Sequence, residues 1–404
     1  MSKKTLRIGV ISLGWMGRLH SRSYKQIKER FPELDVECEL EVACDSNPEA
    51  RRIAIEEIGF KRAVSDYMEV INDPQVDAVS ICSPNFLHHP IAMAAIEAGK
   101  PFWIEKPMGV NAKESVEIAR AAEAKGLVTA SGFNYRHTPA IEKLRELVST
   151  GRLGTITNAR MWMIADYASS PDGPLTWRYD RSKAGPGTIS DLMSHGVDLL
   201  HYLLGSPIRE VSATTGIFIK DRPIPTKQGV GHTGWEISDR RGAVENEDYC
   251  AILARTDSGV LATLESSRVA VGPRAEYIVE VYGTEGSARW NFEHLNDLYV
   301  CIGRDNEFQG YVRAMDDPSF PFFSRFQPGG GTSIGFDDMK CVEAAKFIQS
   351  IITGEQLAPS AADAALAALI DDAVVESAAT KTWTSIAPFE GTTTFAFSGK
   401  KEGK

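Results

Sequence analysis

Surplus positive charge is absent from this chain of 404 residues: 44 Lys and Arg face 54 Asp and Glu, for a formal net charge of -10. No excess of cations is left to displace counterions along a nucleic-acid backbone, so a nucleic-acid partner is not expected. No stretch of about 18 apolar residues runs without charge, so nothing reads as a membrane span. The opening MSKKTLRIGV has two lysines but no sustained apolar run and no small-residue cleavage signal, which predicts a cytoplasmic protein. The six cysteines, Cys38, Cys44, Cys82, Cys250, Cys301 and Cys341, are scattered, with no CxxC and no close Cys/His set. Free, mostly buried thiols and no metal are expected from that spacing. Internal repeats and low-complexity tracts are missing as well. A hydrophobic content of 43% over this length is enough for two domains with large cores.

What is present begins with a strand, a tight turn and a helix. Leu6 to Ile11 is a short apolar run, Ser12-Leu13-Gly14-Trp15-Met16-Gly17 follows, and Leu19, Tyr24 and Ile27 recur at helical spacing. Gly14 would let the backbone approach a pyrophosphate, and Gly17 would let the helix pack closely with its first N–H groups facing the phosphates. Ser12 stands where the usual fingerprint has its first glycine, a substitution that fits if the turn keeps a negative φ. A second apolar run, Leu40 to Cys44, ends at Asp45, which lies 31 residues after Gly14. About 20 is usual, and an insert at Glu33 to Glu39 accounts for the difference. Asp45 would accept hydrogen bonds from the adenine ribose and repel the extra phosphate of NADP, so NAD is expected; Arg51 and Arg52 keep NADP open, and a turn role for Asp45 is the plain alternative.

Val76 to Cys82 opens into Ser83-Pro84-Asn85, and Phe102 to Ile104 into Glu105-Lys106-Pro107. Alternation of strand and helix on this scale implies a parallel sheet covered by helices, with ligands bound at the strand carboxyl ends. A lysine after a strand is commonly just solvated, but Pro107 disfavours a helical Lys106 and holds its amine extended above the sheet edge. The first domain is expected over residues 1–133.

Beyond Leu127 to Phe133 the pattern changes. Strand-like runs at Ile156–Ile164, Val211–Ile219, Asp248–Ala254, Gly259–Ser266, Tyr277–Tyr282 and Ser287–Phe292 have few helices between them. An α+β domain with an open, largely antiparallel sheet is expected over 134–390, followed by a flexible tail at 391–404. After the Gly185-Pro186-Gly187 turn, Asp191 and His195 fall four apart on a helix and so share one face. They read either as a buried structural pair or as a carboxylate raising and orienting an imidazole that takes a hydroxyl proton. Loops at 168–179, carrying Trp177-Arg178, at 223–233 and at 318–335 could contact substrate or simply connect.

Taken together, Gly14-Trp15-Met16-Gly17, Glu105-Lys106-Pro107 and the Asp191 to His195 helix resemble the Gfo/Idh/MocA oxidoreductase family, from Leu6 to about Ile386. Phe133-Asn134-Tyr135-Arg136, Leu175-Thr176-Trp177-Arg178 and Val281 to Gly286 fit one branch of it. The resemblance implies a Rossmann domain followed by the open-sheet domain, whose exposed face assembles subunits, here a homo-oligomer and by expectation a tetramer. It implies that Lys106, Asp191 and His195 are catalytic. Expected cofactor contacts are Ser12, Gly14, Trp15, Met16, Gly17, Asp45, Ser83, Pro84, Asn85, His88, Glu105 and Lys106. Expected substrate contacts are Lys106, Arg136, Trp162, Trp177, Arg178, Asp191 and His195. The implied activity is NAD-dependent oxidation of a secondary ring hydroxyl of a sugar, anhydrosugar, glycoside or cyclitol. A glycosidase working through a transient 3-keto sugar and a dinucleotide-binding sensor are the alternatives.

Overall fold

The computed structural model describes residues 4–227, 229, 234–304 and 310–397. The first sheet is parallel and takes β1 (Lys4–Ile11), β2 (Val36–Cys44), β3 (Arg62–Val64), β4 (Ala78–Ile81), β5 (Phe102–Ile104) and β6 (Thr129–Ser131) in the order β3-β2-β1-β4-β5-β6. Its central strands are apolar on both faces: Ile8, Val10, Val79, Ile81, Phe102 and Trp103 are fully buried. Covering both faces needs helices, supplied by α1 (Trp15–Arg30), α2 (Pro48–Ile53), α3 (Tyr67–Ile71), α4 (His88–Glu97) and α5 (Ala112–Ala124). The long step from Gly14 to Asp45 is filled by 16 residues of α1 and 9 of β2, so most of the expected insert at 33–39 is strand.

The second sheet takes β7 (Ile156–Ala165), β8 (Ile208–Gly216), β11 (Tyr249–Thr256), β12 (Leu261–Ser267), β13 (Ala275–Gly283), β14 (Gly286–Asn291), β15 (Asp297–Ile302), β16 (Val312–Met315) and β17 (Thr384–Ser385). Its order is β16-β15-β14-β13-β7-β12-β11-β8-β17, antiparallel except between β7 and β12. A separate hairpin of β9 (Asp221–Lys227) and β10 (Glu236–Ala243) replaces the start of the loop expected at 223–233; positions 228 and 230–233 lie outside the described residues. The second-domain helices are α6 (Pro139–Ser149), α7 (Arg181–Ala184), α8 (Ser194–Leu204), α9 (Phe336–Thr353) and α10 (Ala361–Thr380). Met161 and Met163 of β7 face Gly196 of α8, so alternation puts Trp162 on the opposite, open face. Leu253 and Leu261 share that face and are 52% and 55% exposed.

The chain then returns to the first domain. Helix α9 packs along α1 and α10 along α5. Arg22 pairs with Asp337, Arg325 with Glu33, and Phe326 meets Phe31 edge-on. Strand β6 is the sheet edge, and its open groups are filled from the carboxyl-terminal half: Ser131 N donates to Pro359 O at 2.7 Å, and the Gln356 amide bonds both N and O of Thr129. Residues 391–397 are not the loose tail expected. Thr392 bonds Glu123, Thr394 bonds Asp363, Arg145 holds the Phe395 carbonyl, and the Phe395 ring is buried. Residues 398–404 lie outside the described part.

Candidate active site

The carboxyl ends of β1, β2 and β4 open onto a cavity of about 740 Å³, bounded on one side by Ser12, Asp45, Ser46, Tyr67, Ser83 and Pro84. Thr176, Trp177, Arg178, Lys183 and Trp235 close it from the second domain. The volume suits a molecule of cofactor size. At the turn, Gly14 has nothing within 4 Å of where a Cβ would stand, leaving open space above the start of α1. A Cβ on Gly17 would lie 1.9 Å from Ser12 O, so the helix can pack this close only with glycine there. Asp45 Oδ2 accepts from Leu13 N at 2.8 Å and Oδ1 from Asn47 N at 2.9 Å, which ties the end of β2 to the turn. These features fit a dinucleotide whose pyrophosphate sits on α1 and whose ribose meets Asp45. Ser12 has φ 72, against the expectation of a negative value; it holds a left-handed conformation at a cost of ~1–2 kcal/mol that glycine would avoid.

Lys106 follows β5 with its side chain 15% exposed, and Nζ reaches Asp191 Oδ1 at 3.0 Å and the Asp191 carbonyl at 2.5 Å. Asp191 sits in a π-helical turn, Ile189–Met193, just ahead of α8. The wider turn rotates Asp191 away from the face that a regular four-residue spacing gives it. It therefore bonds Lys106 and the Tyr167 hydroxyl (2.5 Å to Oδ2), not His195. Its partial burial works against the charge, but Lys106, Arg178 and the Tyr167 hydrogen bond outweigh that and hold the carboxyl well below the usual range.

His195 is 8% exposed beneath the rings of Tyr135 (centroids 4.7 Å) and Phe133 (5.9 Å), and its Nδ1 has no hydrogen-bond partner among the described residues. Burial first, then the Lys106 charge, push its pKa well below the ordinary value, so the imidazole is neutral. The spacing to Asp191 predicts a carboxylate that raises it; burial is the larger effect and lowers it. Tyr135 begins an aromatic wall that runs through Tyr277, Phe292 and Phe336 to Trp15, which is 59% exposed.

Other expected site residues are placed elsewhere. Arg136 is buried against Asp198, with Asp363 and Thr394 nearby, and does not reach the cleft. Trp162 stands under the Arg160 guanidinium on the open sheet face. Asn85 donates to Ala184 O, joining the two domains, and is not among the residues lining the cavity. His88 is buried between the carbonyls of Ser83 and Pro107, each 2.7 Å from a ring nitrogen, and braces two loops. Glu105 turns inward to His20 and Lys340. Trp177 and Arg178 do face the cavity, stacked on each other, with Trp177 edge-on to Phe86 of the first domain. Tyr167 and Tyr277 have no local motif to mark them, and Tyr135 stands in the Phe133 to Arg136 run, from which the sequence reading takes Arg136 for the site instead.

Residues 6–133 match the oxidoreductase family with an NAD-binding Rossmann fold, and residues 141–289 match the GFO/IDH/MocA C-terminal domain. The chain is 33% identical over 389 residues to the levoglucosan dehydrogenase of Pseudarthrobacter phenanthrenivorans, covering 95% of this chain and 98% of that one. It is 26% identical over 372 residues to the myo-inositol 2-dehydrogenase of Thermotoga maritima, covering 92% and 96%. A solved levoglucosan dehydrogenase in complex with NADH and L-sorbose superposes with a TM-score of 0.90 at 32% identity, over 96% of this chain and all of that one.

Proposed function

The chain belongs to the Gfo/Idh/MocA oxidoreductase family, and from that premise we propose that it oxidises a secondary ring hydroxyl of an anhydrosugar, sugar or cyclitol to a ketone. The observation that supports this is the Lys106–Asp191 ion pair with His195 near enough to feel both charges; none of the three is among the residues lining the strand-end cavity, but Arg178, which lines it, acts on Asp191. Gly14, Gly17 and Asp45 would hold NAD, which when bound would accept the hydride that leaves the carbinol carbon.

The remaining chemistry is that of the side chains. Neutral His195 accepts the hydroxyl proton, through Nε2 because Nδ1 is sealed off in the interior. The Lys106 ammonium stabilises the negative charge that builds on that oxygen, in a cleft where solvent screens it poorly. Asp191 fixes the ammonium, and Tyr167 fixes Asp191. The rings of Tyr135 and Tyr277 present an apolar surface to the C–H face of a sugar. Among its relatives, proteins described as levoglucosan dehydrogenase and inositol dehydrogenases favour levoglucosan and inositols as first substrates to try.

The open face of the second sheet, with Leu253, Leu261 and Trp162, supports assembly into a homo-oligomer, by our reading a tetramer. Six cysteines without a disulfide support a reducing, cytoplasmic setting; no described helix is long and apolar enough to cross a membrane.

The test is NAD reduction across levoglucosan, inositols, monosaccharides and glycosides, with His195→Ala and Lys106→Ala compared after folding and NAD binding are verified. Turnover should fall at least ~100-fold in both variants. Near-native turnover with an unchanged substrate isotope effect would remove both residues from the chemistry. Cleavage of glycosides without net NADH would favour the 3-keto glycosidase route.

A further inference from the structure

Three separate parts of the chain meet at one buried carboxylate. Glu105 Oε1 accepts from His20 Nε2 of α1 at 2.9 Å and from Lys340 Nζ of α9 at 2.5 Å. Lys340 is 1% exposed and has Glu343 Oε2 at 2.9 Å on its other side. Trp103 forms the wall of this pocket: its ring lies 3.4 Å from that of His20, centroid to centroid, and 5.2 Å from Lys340 Nζ. A lysine sealed this deeply is costly unless paired, and packing alone would be served by an apolar side chain of the same length. None of these groups lines the cleft. Glu105, however, immediately precedes Lys106.

We propose that Lys340 is a positioning residue for the oxidation: by holding the Glu105 carboxylate inward it sets the backbone at 105–107 and thereby the place of the Lys106 ammonium against Asp191. This rests on the assignment of Lys106 to the chemistry. The second domain thus fixes the reactive lysine of the first from behind as well as from the cleft. With Lys340 in place His20 is neutral, its pKa lowered to about 4 by burial above all and also by the Lys340 charge, so Lys340 is the cation that faces Glu105. Without Lys340, Glu105 is left as a buried carboxylate without its cation, and the backbone that carries Lys106 loses the contact that holds it in place. Misplacing a reacting group by about 1 Å costs roughly 100-fold in rate, so the loss should appear in kcat.

The experiment compares Lys340→Met, Lys340→Arg and the double variant Glu105→Gln/Lys340→Met in the full-length protein, on whichever polyol the wild type oxidises. Lys340→Met should lower kcat about 10–100-fold while KM and the NAD dissociation constant stay within about threefold. Lys340→Arg should recover most of the loss, and the double variant should be more active than Lys340→Met because the residue next to Lys106 no longer carries an unpaired charge. A folded Lys340→Met with wild-type kcat overturns the proposal, as do losses that simply multiply in the double variant. Wild-type inertness toward every polyol would be a different failure, removing the role of Lys106 and this proposal with it.

Discussion

Adding a methyl group at Gly14 and at Gly17 should give opposite signatures, although the two glycines lie one turn apart. At Gly17 the new Cβ would stand 1.9 Å from Ser12 O and 2.9 Å from the Ser12 carbonyl carbon, so turn and helix must part by about 1.5 Å to reach ordinary contact. Both sides of the clash are backbone, and overpacking of this kind costs ~1–3 kcal/mol of stability. The same displacement moves the first N–H groups of α1 off the pyrophosphate. Hydrogen bonds to a charged partner are worth ~1.5–3 kcal/mol each, so losing one lowers NAD affinity roughly 10–100-fold. Gly14→Ala meets no atom within 4 Å, and its φ of -63 suits any residue. The folded protein should gain ~0.4–1 kcal/mol, because alanine restricts the unfolded chain. Its methyl group nevertheless fills the space where the phosphates approach, so NAD affinity should drop at least ~10-fold. Calorimetric titration with NAD, together with thermal unfolding of the cofactor-free variants, separates the two. A Gly14→Ala variant that binds NAD as tightly as the wild type refutes the placement of the pyrophosphate over this turn.

Tyr167→Phe removes the hydroxyl that donates to Asp191 and should cut kcat/KM about tenfold, the low end for a bond to a charged group because that carboxylate is 37% exposed; unchanged kinetics would leave Tyr167 as packing only. Besides His88 and His195, three more histidines are buried with pKa values pushed down chiefly by burial, to about 4 for His20 and about 3 for His137 and His201. Each favours the folded state fully above pH ~6.5, where the unfolded chain is also neutral. That contribution is lost as pH falls toward the folded values, on the order of 2 kcal/mol per group by pH 5. The melting temperature should hold from pH 8 to 7 and drop steeply below 6.5, and a flat profile down to pH 5 would contradict it. Leu253→Glu on the open sheet face should shift sedimentation to a smaller species, whereas an unchanged mass would move the subunit contact elsewhere.

Much of the fold was legible because local pattern and tertiary role agree. The run Leu6 to Ile11 is a buried central strand, the turn at Gly14 and Gly17 opens a helix, and Asp45 ends the next strand. Lys106 was legible because strand-end loops of a parallel sheet face the ligand crevice whatever their sequence, and Trp177 and Arg178 because an aromatic and a cation stand together in a long loop of the second domain. The failures concern side-chain direction, which sequence position does not carry. Glu105 and Lys106 are neighbours, yet one points to the interior and the other to the cleft. Arg136 lies beside Tyr135, which borders His195, but turns to Asp198. The spacing of Asp191 and His195 implied a shared face only for a regular helix, and one wider turn broke the pairing. Tyr167 and Lys340 are far in sequence from what they hold.

The filling of the β6 edge by residues 356–359 has a consequence for how the protein is made. Every strand of the first sheet has left the ribosome once residue 131 is out, yet the segment that covers its edge is synthesised more than two hundred residues later. At ~5–20 residues per second, that interval is roughly ten to forty-five seconds. Throughout it the nascent domain shows a bare strand edge, and α1 and α5 lack the helices that lie against them in the finished molecule. Emergence of α9, residues 356–359 and α10, and not of the Rossmann strands, is therefore the moment at which this half of the protein is first complete.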